Sequence, residues 1–238
     1  MFTITIIHSP PDPFIRHSES GFVTRTPSLC VCLTEFDTNH YRDALFAKFS
    51  APFPDMLQYA MIKRRAEYLS GRYAAHTLLQ ENNCHASVAP GPDRAPKWPM
   101  GWLGSISHTR SHAIAVIAPQ SAGLVPGVDI EQLCPTTMLE TADIFTSSPE
   151  KKLLSACDME YETALLITFS AKESLYKAVY PQVRHFLGFD TSVICELDTR
   201  LQRFRLRLTQ PIAPSLPAGY SFSGHYKFHS DNVITLIA

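Results

Sequence analysis

The stretch Phe169-Ser170-Ala171-Lys172-Glu173-Ser174-Leu175-Tyr176-Lys177-Ala178 sets two lysines and a glutamate among apolar residues. Leu165, Leu166, Phe169, Leu175, Ala178 and Val179 recur at helical spacing, which predicts a core helix. On that helix Glu173 and Lys177 stand one turn apart on one face, with Lys172 beside them. A charged triplet on a core helix suits an anion held together with a metal ion. The plainer alternative is a solvated Glu–Lys pair, a common decoration of helix surfaces that stabilises little.

Two other stretches carry related chemistry. In Leu124-Val125-Pro126-Gly127-Val128-Asp129-Ile130-Glu131, strand alternation sends Asp129 and Glu131 to one side and Val128 and Ile130 into the core. Paired carboxylates repel unless a cation sits between them. Hard oxygen donors without His or Cys point to Mg²⁺ or Mn²⁺ rather than zinc. An exposed strand end is the alternative. In Lys63-Arg64-Arg65-Ala66-Glu67-Tyr68-Leu69-Ser70-Gly71-Arg72, Arg65 and Arg72 share a helix face two turns apart, with Arg64 nearby. Guanidinium groups match phosphate oxygens in forked pairs, so this face is a candidate phosphate cradle, or else an ordinary basic surface. Gly71 in mid-helix costs about 1 kcal/mol against Ala and predicts a close backbone approach there.

The elements that must position these groups follow in chain order. Thr3–Ile7 alternates as a strand, residues 8–28 are rich in Pro, Ser and His and read as loop, and Leu29–Phe36 reads as a second strand. A short helix around Tyr41–Phe49 ends before Pro52 and Pro54, and a long helical pattern runs from about Asp55 to Glu81. Residues 85–101 form a Pro- and Gly-rich connection (Pro90, Gly91, Pro92, Pro96, Pro99, Gly101) carrying Lys97 and Trp98. Gly104-Ser105-Ile106-Ser107-His108-Thr109 and the apolar run Ala113–Ala118 predict a hairpin with Ser107 and His108 at its end. That β context argues against His108 and His112 as a helical metal pair.

Pro119–Gly123 is the expected seam between two halves, 1–120 and 121–238. Beyond it the pattern predicts a helix over Thr137–Phe145 and a helix start at Ser147-Ser148-Pro149-Glu150. The motif helix is expected from about Tyr161 to Tyr180, stopping at Pro181. Short strands are expected near Val193–Leu197, Arg203–Leu208, Tyr220–Lys227 and Val233–Ile237. Each half runs through a helical region into several strands, consistent with a coarse duplication.

Composition bounds the function classes. With 45% apolar and 18% charged residues the chain reads as an ordered globular protein large enough for a substantial core. A net charge of −1 argues against a polybasic nucleic-acid or membrane binder and leaves room for a local basic pocket. Cys30, Cys32, Cys84, Cys134, Cys157 and Cys195 form no C-x-x-C pair, so neither a disulfide framework nor a zinc site is expected. The first apolar run has no basic region before it, and Pro10, Pro11 and Pro13 follow at once, so no signal peptide or membrane span is expected. A reducing, cytoplasmic setting follows as the expectation.

Taken together, Lys63–Arg72, Trp98-Pro99, Gly104–His108, Gly127–Glu131 and Phe169–Ala178 resemble the 4′-phosphopantetheinyl transferases of the surfactin-synthetase class. Within that class they are similar to the enterobactin-synthase component D subgroup. The motifs stand in the family's order over about residues 60–180. The resemblance implies an α+β fold of two similar subdomains about a pseudo-twofold axis, each a small antiparallel sheet packed with helices, with coenzyme A and Mg²⁺ in the cleft. It implies that the phosphopantetheine arm of coenzyme A moves to a serine of apo peptidyl, aryl or acyl carrier domains, releasing 3′,5′-ADP, with siderophore-type synthetases as the expected users.

By that likeness Asp129, Glu131 and Glu173 hold the metal, while Lys172 and Lys177 bind the pyrophosphate and its developing charge. Glu173 or a metal-bound water beside it is the base, so Glu173 and Lys177 are the expected catalytic pair. Arg64 or Arg65, Arg72 and His108 clamp the 3′-phosphate and adenine end, with Ser107 and Lys97 near the nucleotide. The N-terminal half would then serve the nucleotide and the C-terminal half the metal. The carrier is expected on an apolar surface drawn from Met138, Leu139, Phe145 and Val183–Phe189, assisted by Arg184 and His185. A monomer is expected. The competing readings are a broad-range transferase that also serves fatty-acid or polyketide carriers, a non-catalytic coenzyme A-binding module, and a metal-dependent phosphohydrolase using the same carboxylates.

Overall fold

The computed structural model describes every residue except Pro10, Pro92, Arg94 and Cys134, together with the side chains of Pro135 and Thr136. The sequence readings that involve Pro10, Pro92 and Cys134 therefore lie outside the described residues. Met1–Pro126 forms one compact unit and Gly127–Ala238 another. Each is a five-stranded antiparallel sheet with one long helix laid on it.

In the first unit, β1 (Phe2–His8), β2 (Ile15–Val23) and β3 (Thr26–Phe36) precede α1 (Leu45–Lys48) and α2 (Ile62–Glu81). The short strands β4 (Ala89–Pro90) and β5 (Pro96–Lys97) pair with each other inside the Pro-rich connection, and β6 (Trp102–His108) and β7 (His112–Pro119) form the expected hairpin. The sheet order is β1-β2-β3-β7-β6. The apolar side of α2 packs on this sheet, with Leu69, Leu78 and Leu79 fully buried. Each such leucine stabilises the fold by about 1.5–3 kcal/mol through its removal from water.

Three expectations for this unit are corrected. Residues 15–23 are not loop but an interior strand, β2. Its core-facing positions Ser18 and Ser20 are polar, which hides the alternation. Burial is tolerated because Ser18 reaches Thr34 Oγ1 at 3.3 Å and Ser20 donates to Glu81 at 2.6 Å. Second, α2 begins at Ile62 rather than near Asp55. Only a 3₁₀ turn forms at Asp55–Leu57 and Met61 is extended; Leu57 is buried, but Met56, Tyr59 and Ile62 are exposed, so the apolar spacing there does not mark a helix face. Third, the neighbour that excludes a side chain at Gly71 is not backbone. A Cβ there would sit 2.7 Å from Ile106 Cγ2, so the glycine seats α2 against a side chain of β6.

The second unit contains β8 (Gly127–Gln132), α3 (Pro135–Phe145), α4 (Ser148–Ser155), α5 (Tyr161–Val183), β9 (Ser192–Asp198), β10 (Arg203–Leu208), β11 (Ser221–His229) and β12 (Asn232–Ile237). Its sheet order is β8-β12-β11-β10-β9. The α5 helix lies over β8 and β12, burying Leu165, Leu166, Ala171, Leu175 and Val179 with Phe204, Leu206 and Tyr226. It continues past Pro181, because a proline in the last turn forfeits a single hydrogen bond, and ends at Arg184 in the left-handed region (φ 55°), whose N–H donates to Tyr180 O at 2.9 Å.

Gly127 fixes how closely α5 approaches β8. A Cβ at this position would fall 2.0 Å from Ser174 O and 2.7 Å from Ala178 N, both helix backbone atoms. Gly127→Ala is therefore expected to lift α5 off β8 and to lower the unfolding midpoint in urea by an amount equivalent to about 1–3 kcal/mol of overpacking. An unchanged midpoint would show that the helix can shift freely, and with it the residues that α5 brings to β8. Among the described residues no helix is long and apolar enough to cross a membrane.

Candidate active site

The close contact at Gly127 brings the acidic side of β8 against α5. Asp129 is 2% exposed and has both oxygens engaged. Its Oδ1 accepts from Lys177 Nζ at 2.6 Å and its Oδ2 from Ser170 Oγ at 2.7 Å. Ser170 and Ser174 both reach Thr235 Oγ1, at 2.9 and 2.7 Å, so the helix, β12 and the carboxylate form one buried polar network.

Glu131 and Glu173 face the same charge. Burial, reinforced by Asp129 and by Glu173, pushes the Glu131 pKa up, and Lys177 only partly opposes it. Burial and Asp129 raise Glu173 in the same way, again opposed by Lys177. Asp129, Glu131 and Glu173 thus share a half-buried region with the ammonium of Lys177. The residue types and their unbalanced negative charge suit a hard divalent cation with oxygen ligands. Among the described residues, no three of His, Cys, Asp and Glu already stand in ligating geometry, and Lys177 occupies Asp129 Oδ1.

Lys172 departs from its expected place. It is 5% exposed, and its Nζ lies 2.8 Å from Glu150 Oε1 while donating to Phe145 O at 2.7 Å and Phe189 O at 3.1 Å. Glu150 also accepts from Ile194 N and from Ser147 N, each at 2.8 Å. Every donor of this lysine is used inside the unit, by Glu150 and two backbone carbonyls. Helical rotation accounts for this placement: the residue beside Glu173 is turned about 100° from it and points into the core. Glu150 carries no signal in the sequence beyond its place in a helix start.

Beside Glu173 lies a cavity of about 310 Å³, lined mainly by apolar atoms of Leu175, Tyr176, Phe186, Leu187 and Phe189. Tyr176 stands edge-on to Phe186, whose ring is 80% exposed. The segment expected to meet a carrier therefore also walls the cavity. Phe145, assigned to the same surface, is 3% exposed and packs against Phe169 and Phe189, so it belongs to the core. Met138 is partly buried against that core, while Leu139 is exposed. Arg184 Nε donates to Pro181 O, and His185 Nδ1 lies 2.8 Å from Val183 O at the helix end.

The first unit gathers a separate cationic group. Arg64 Nη1 donates to His108 Nε2 at 2.8 Å, and both lie beside Glu67. Arg72 is 7% exposed, packs 4.5 Å over the Tyr68 ring and donates to Tyr68 Oη at 3.2 Å. Burial lowers its pKa, and the like charge of Arg64 adds to this. No carboxylate among the described residues pairs with Arg72. A buried guanidinium without a counter-charge calls for an anion.

Arg65 turns away. It pairs with Asp43 at 2.8 Å, donates to Gln58 O and lies over the Phe53 ring. Between the adjacent pair it is thus Arg64 that joins His108, although helix spacing favoured Arg65. The length of the Arg64 side chain closes the angular gap, and Asp43 captures Arg65. Ser107 is buried on β6 just before His108, and Lys97 stands exposed on β5.

Known proteins share this sequence over both units. Residues 53–118 match the family description "4'-phosphopantetheinyl transferase N-terminal domain", and residues 126–233 match "4'-phosphopantetheinyl transferase superfamily". Enterobactin synthase component D of Salmonella typhi is 40% identical over 169 residues, covering 70% of this chain and 68% of the relative. The protein of the same name from Salmonella typhimurium is 37% identical over 168 residues, 69% of this chain and 68% of the relative. A more distant relative, 4'-phosphopantetheinyl transferase PptT of Mycobacterium tuberculosis, is 26% identical over 155 residues, 62% of this chain and 67% of the relative. With both units matched and its acidic and cationic groups in the matched segments, this chain belongs to the 4′-phosphopantetheinyl transferase superfamily, in the enterobactin synthase component D subgroup.

Proposed function

We propose that the chain transfers the phosphopantetheine arm of coenzyme A to a serine of apo peptidyl or aryl carrier domains of a siderophore-type synthetase, in the cytoplasm and as a monomer. The observation that carries this reading is the meeting of Asp129, Glu131, Glu173 and Lys177 where α5 is seated on β8. Asp129, Glu131 and Glu173 would hold Mg²⁺, with Mn²⁺ as a substitute; when bound, the ion neutralises charge on the pyrophosphate and on the departing bisphosphate. The pseudo-twofold pairing of the two units implied by the family likeness belongs to the same proposal.

The chemistry of this chain's residues follows from their placement. Glu173, or a water held beside it, takes the proton from the carrier serine. The serine oxygen then bonds to the phosphorus that bears the pantetheine arm. The bond from that phosphorus to the bridging oxygen breaks, and 3′,5′-ADP leaves with the electron pair. Lys177 supplies a cation for the charge that develops on the leaving group. The cavity beside Glu173 takes the pantetheine arm, the uncharged part of coenzyme A, on its apolar walls. In the first unit Arg64, Arg72 and His108 receive the 3′-phosphate, with Ser107 and Lys97 beside the nucleotide.

The reaction is tested by incubating the protein with coenzyme A, Mg²⁺ and apo aryl, peptidyl and fatty-acid carriers, then weighing each carrier. A gain of one phosphopantetheine on the aryl or peptidyl carrier supports the reading. An equal rate on the fatty-acid carrier would make the enzyme broad-range, and bound coenzyme A without any mass gain would make the protein a binding module. The two arginines should separate cleanly. Arg64→Gln is expected to raise the KM for coenzyme A about tenfold or more, as loss of a charge-assisted contact does, while sparing 3′-dephospho-coenzyme A. Arg65→Gln should leave both KM values unchanged and affect thermal stability alone. The opposite pattern would return the phosphate role to Arg65.

A further inference from the structure

Glu67 has no part in the chemistry above, yet three cationic or protonatable groups surround it. Its side chain is 12% exposed and lies 3.8 Å from Lys63 Nζ, 3.9 Å from Arg64 Nη1 and 3.8 Å from His108 Nδ1. One oxygen, Oε2, faces both Arg64 and His108. The two partners are themselves joined, Arg64 Nη1 donating to His108 Nε2 at 2.8 Å.

That geometry fixes a tautomer. A guanidinium has donors and no acceptor, so the nitrogen it meets must present a lone pair. His108 Nε2 is therefore unprotonated, and the ring proton sits on Nδ1, the nitrogen that faces Glu67. Glu67 favours this state because a carboxylate stabilises an N–H pointed at it. The other tautomer would set a bare nitrogen against a carboxylate and a proton against a guanidinium. The same oxygen attracts Arg64 from 3.9 Å and limits the wandering of a long, half-exposed side chain.

We propose that Glu67 is a positioning residue that locks His108 in its Nδ1–H tautomer and ties Arg64 to it, so that the pair meets the 3′-phosphate of coenzyme A as one preorganised clamp. This rests on the 3′-phosphate reading of Arg64, Arg72 and His108. Glu67 acts through its neighbours; a carboxylate in direct contact with a phosphate would repel it.

The test compares calorimetric binding of coenzyme A and 3′-dephospho-coenzyme A by the wild-type protein and Glu67→Gln, alongside long-range ¹H–¹⁵N spectra of the histidine rings. The expected wild-type result is tighter binding of coenzyme A and a His108 proton on Nδ1. Glu67→Gln should weaken coenzyme A about tenfold, the usual scale for losing a partner that orients a ligating group, with dephospho-coenzyme A unchanged and the His108 tautomers mixed. Equal loss for both ligands, or no loss for coenzyme A, overturns the positioning role. Wild-type protein that binds the two ligands equally overturns the phosphate reading itself, a result visible before any variant is made. Should the variant not fold, the wild-type spectrum decides, since a His108 proton on Nε2 overturns the proposal.

Discussion

Glu173→Gln lowers kcat for carrier modification by about 10²–10⁴-fold, the span of a lost general base, while the protein stays folded. The amide keeps the shape of the carboxyl and removes one negative charge from a region where Asp129 and Glu131 already crowd the Lys177 ammonium. Stability should hold or rise slightly, because the repulsion that lifts both glutamates is relieved. Asp129→Asn gives a contrasting result. It also removes activity, but it weakens the hydrogen-bonded pairing to Lys177 and Ser170 in a buried setting and should lower the melting temperature as well. A readout independent of turnover comes from Mg²⁺. A cation that binds only the folded protein raises its stability by RT ln(1 + [Mg²⁺]/Kd), so the wild-type melting temperature climbs with added Mg²⁺ and that of Glu173→Gln does not. Wild-type kcat in the Glu173→Gln protein would remove Glu173 from both roles.

Much of this was legible in the sequence, for reasons that can be traced to particular residues. Strand alternation placed Asp129 and Glu131 on one side of β8, and helix spacing placed Glu173 and Lys177 one turn apart on α5. Family likeness joined the two stretches; local pattern has no means of pairing residues so far apart in the chain. What pattern could not show was reach. Arg64 and Arg65 differ by one helix position, and the decision between them lies in Asp43, Gln58 and Phe53, none of which belongs to a motif. The strand β2 escaped because Ser18 and Ser20 occupy its core-facing positions, their cost offset by partners on β3 and α2. Gly127 gives no local sign that its use is to let the α5 backbone touch β8. Each of these misses concerns a long-range partner, which no window of neighbouring residues contains.

The same argument gives the second large effect, at Lys172. Its ammonium and the Glu150 carboxylate are each 3% exposed at the side chain, 2.8 Å apart, and saturated by Phe145 O, Phe189 O, Ser147 N and Ile194 N. Burial pulls the lysine pKa down, while Glu150 and, further off, Asp190 pull it back. Lys172→Met strands Glu150 as a buried carboxylate, at a cost of about 3–5 kcal/mol. At roughly 2–4 °C per kcal/mol for a protein of this size, the melting temperature falls by about 6–20 °C. Adding Glu150→Gln to Lys172→Met removes the stranded charge and should recover most of that loss, as replacing both members of a buried pair commonly does. The double variant also separates structure from binding. If Lys172 serves only to tie the ends of α3 and α4, β9 and the Phe189 turn to α5, the refolded double variant binds coenzyme A with wild-type affinity. If Lys172 turns to the pyrophosphate when coenzyme A binds, the double variant is stable yet binds coenzyme A at least tenfold more weakly, the scale of a lost charge-assisted hydrogen bond. The buried geometry predicts the first outcome, because reaching a phosphate would leave Glu150 and two carbonyls without their cation.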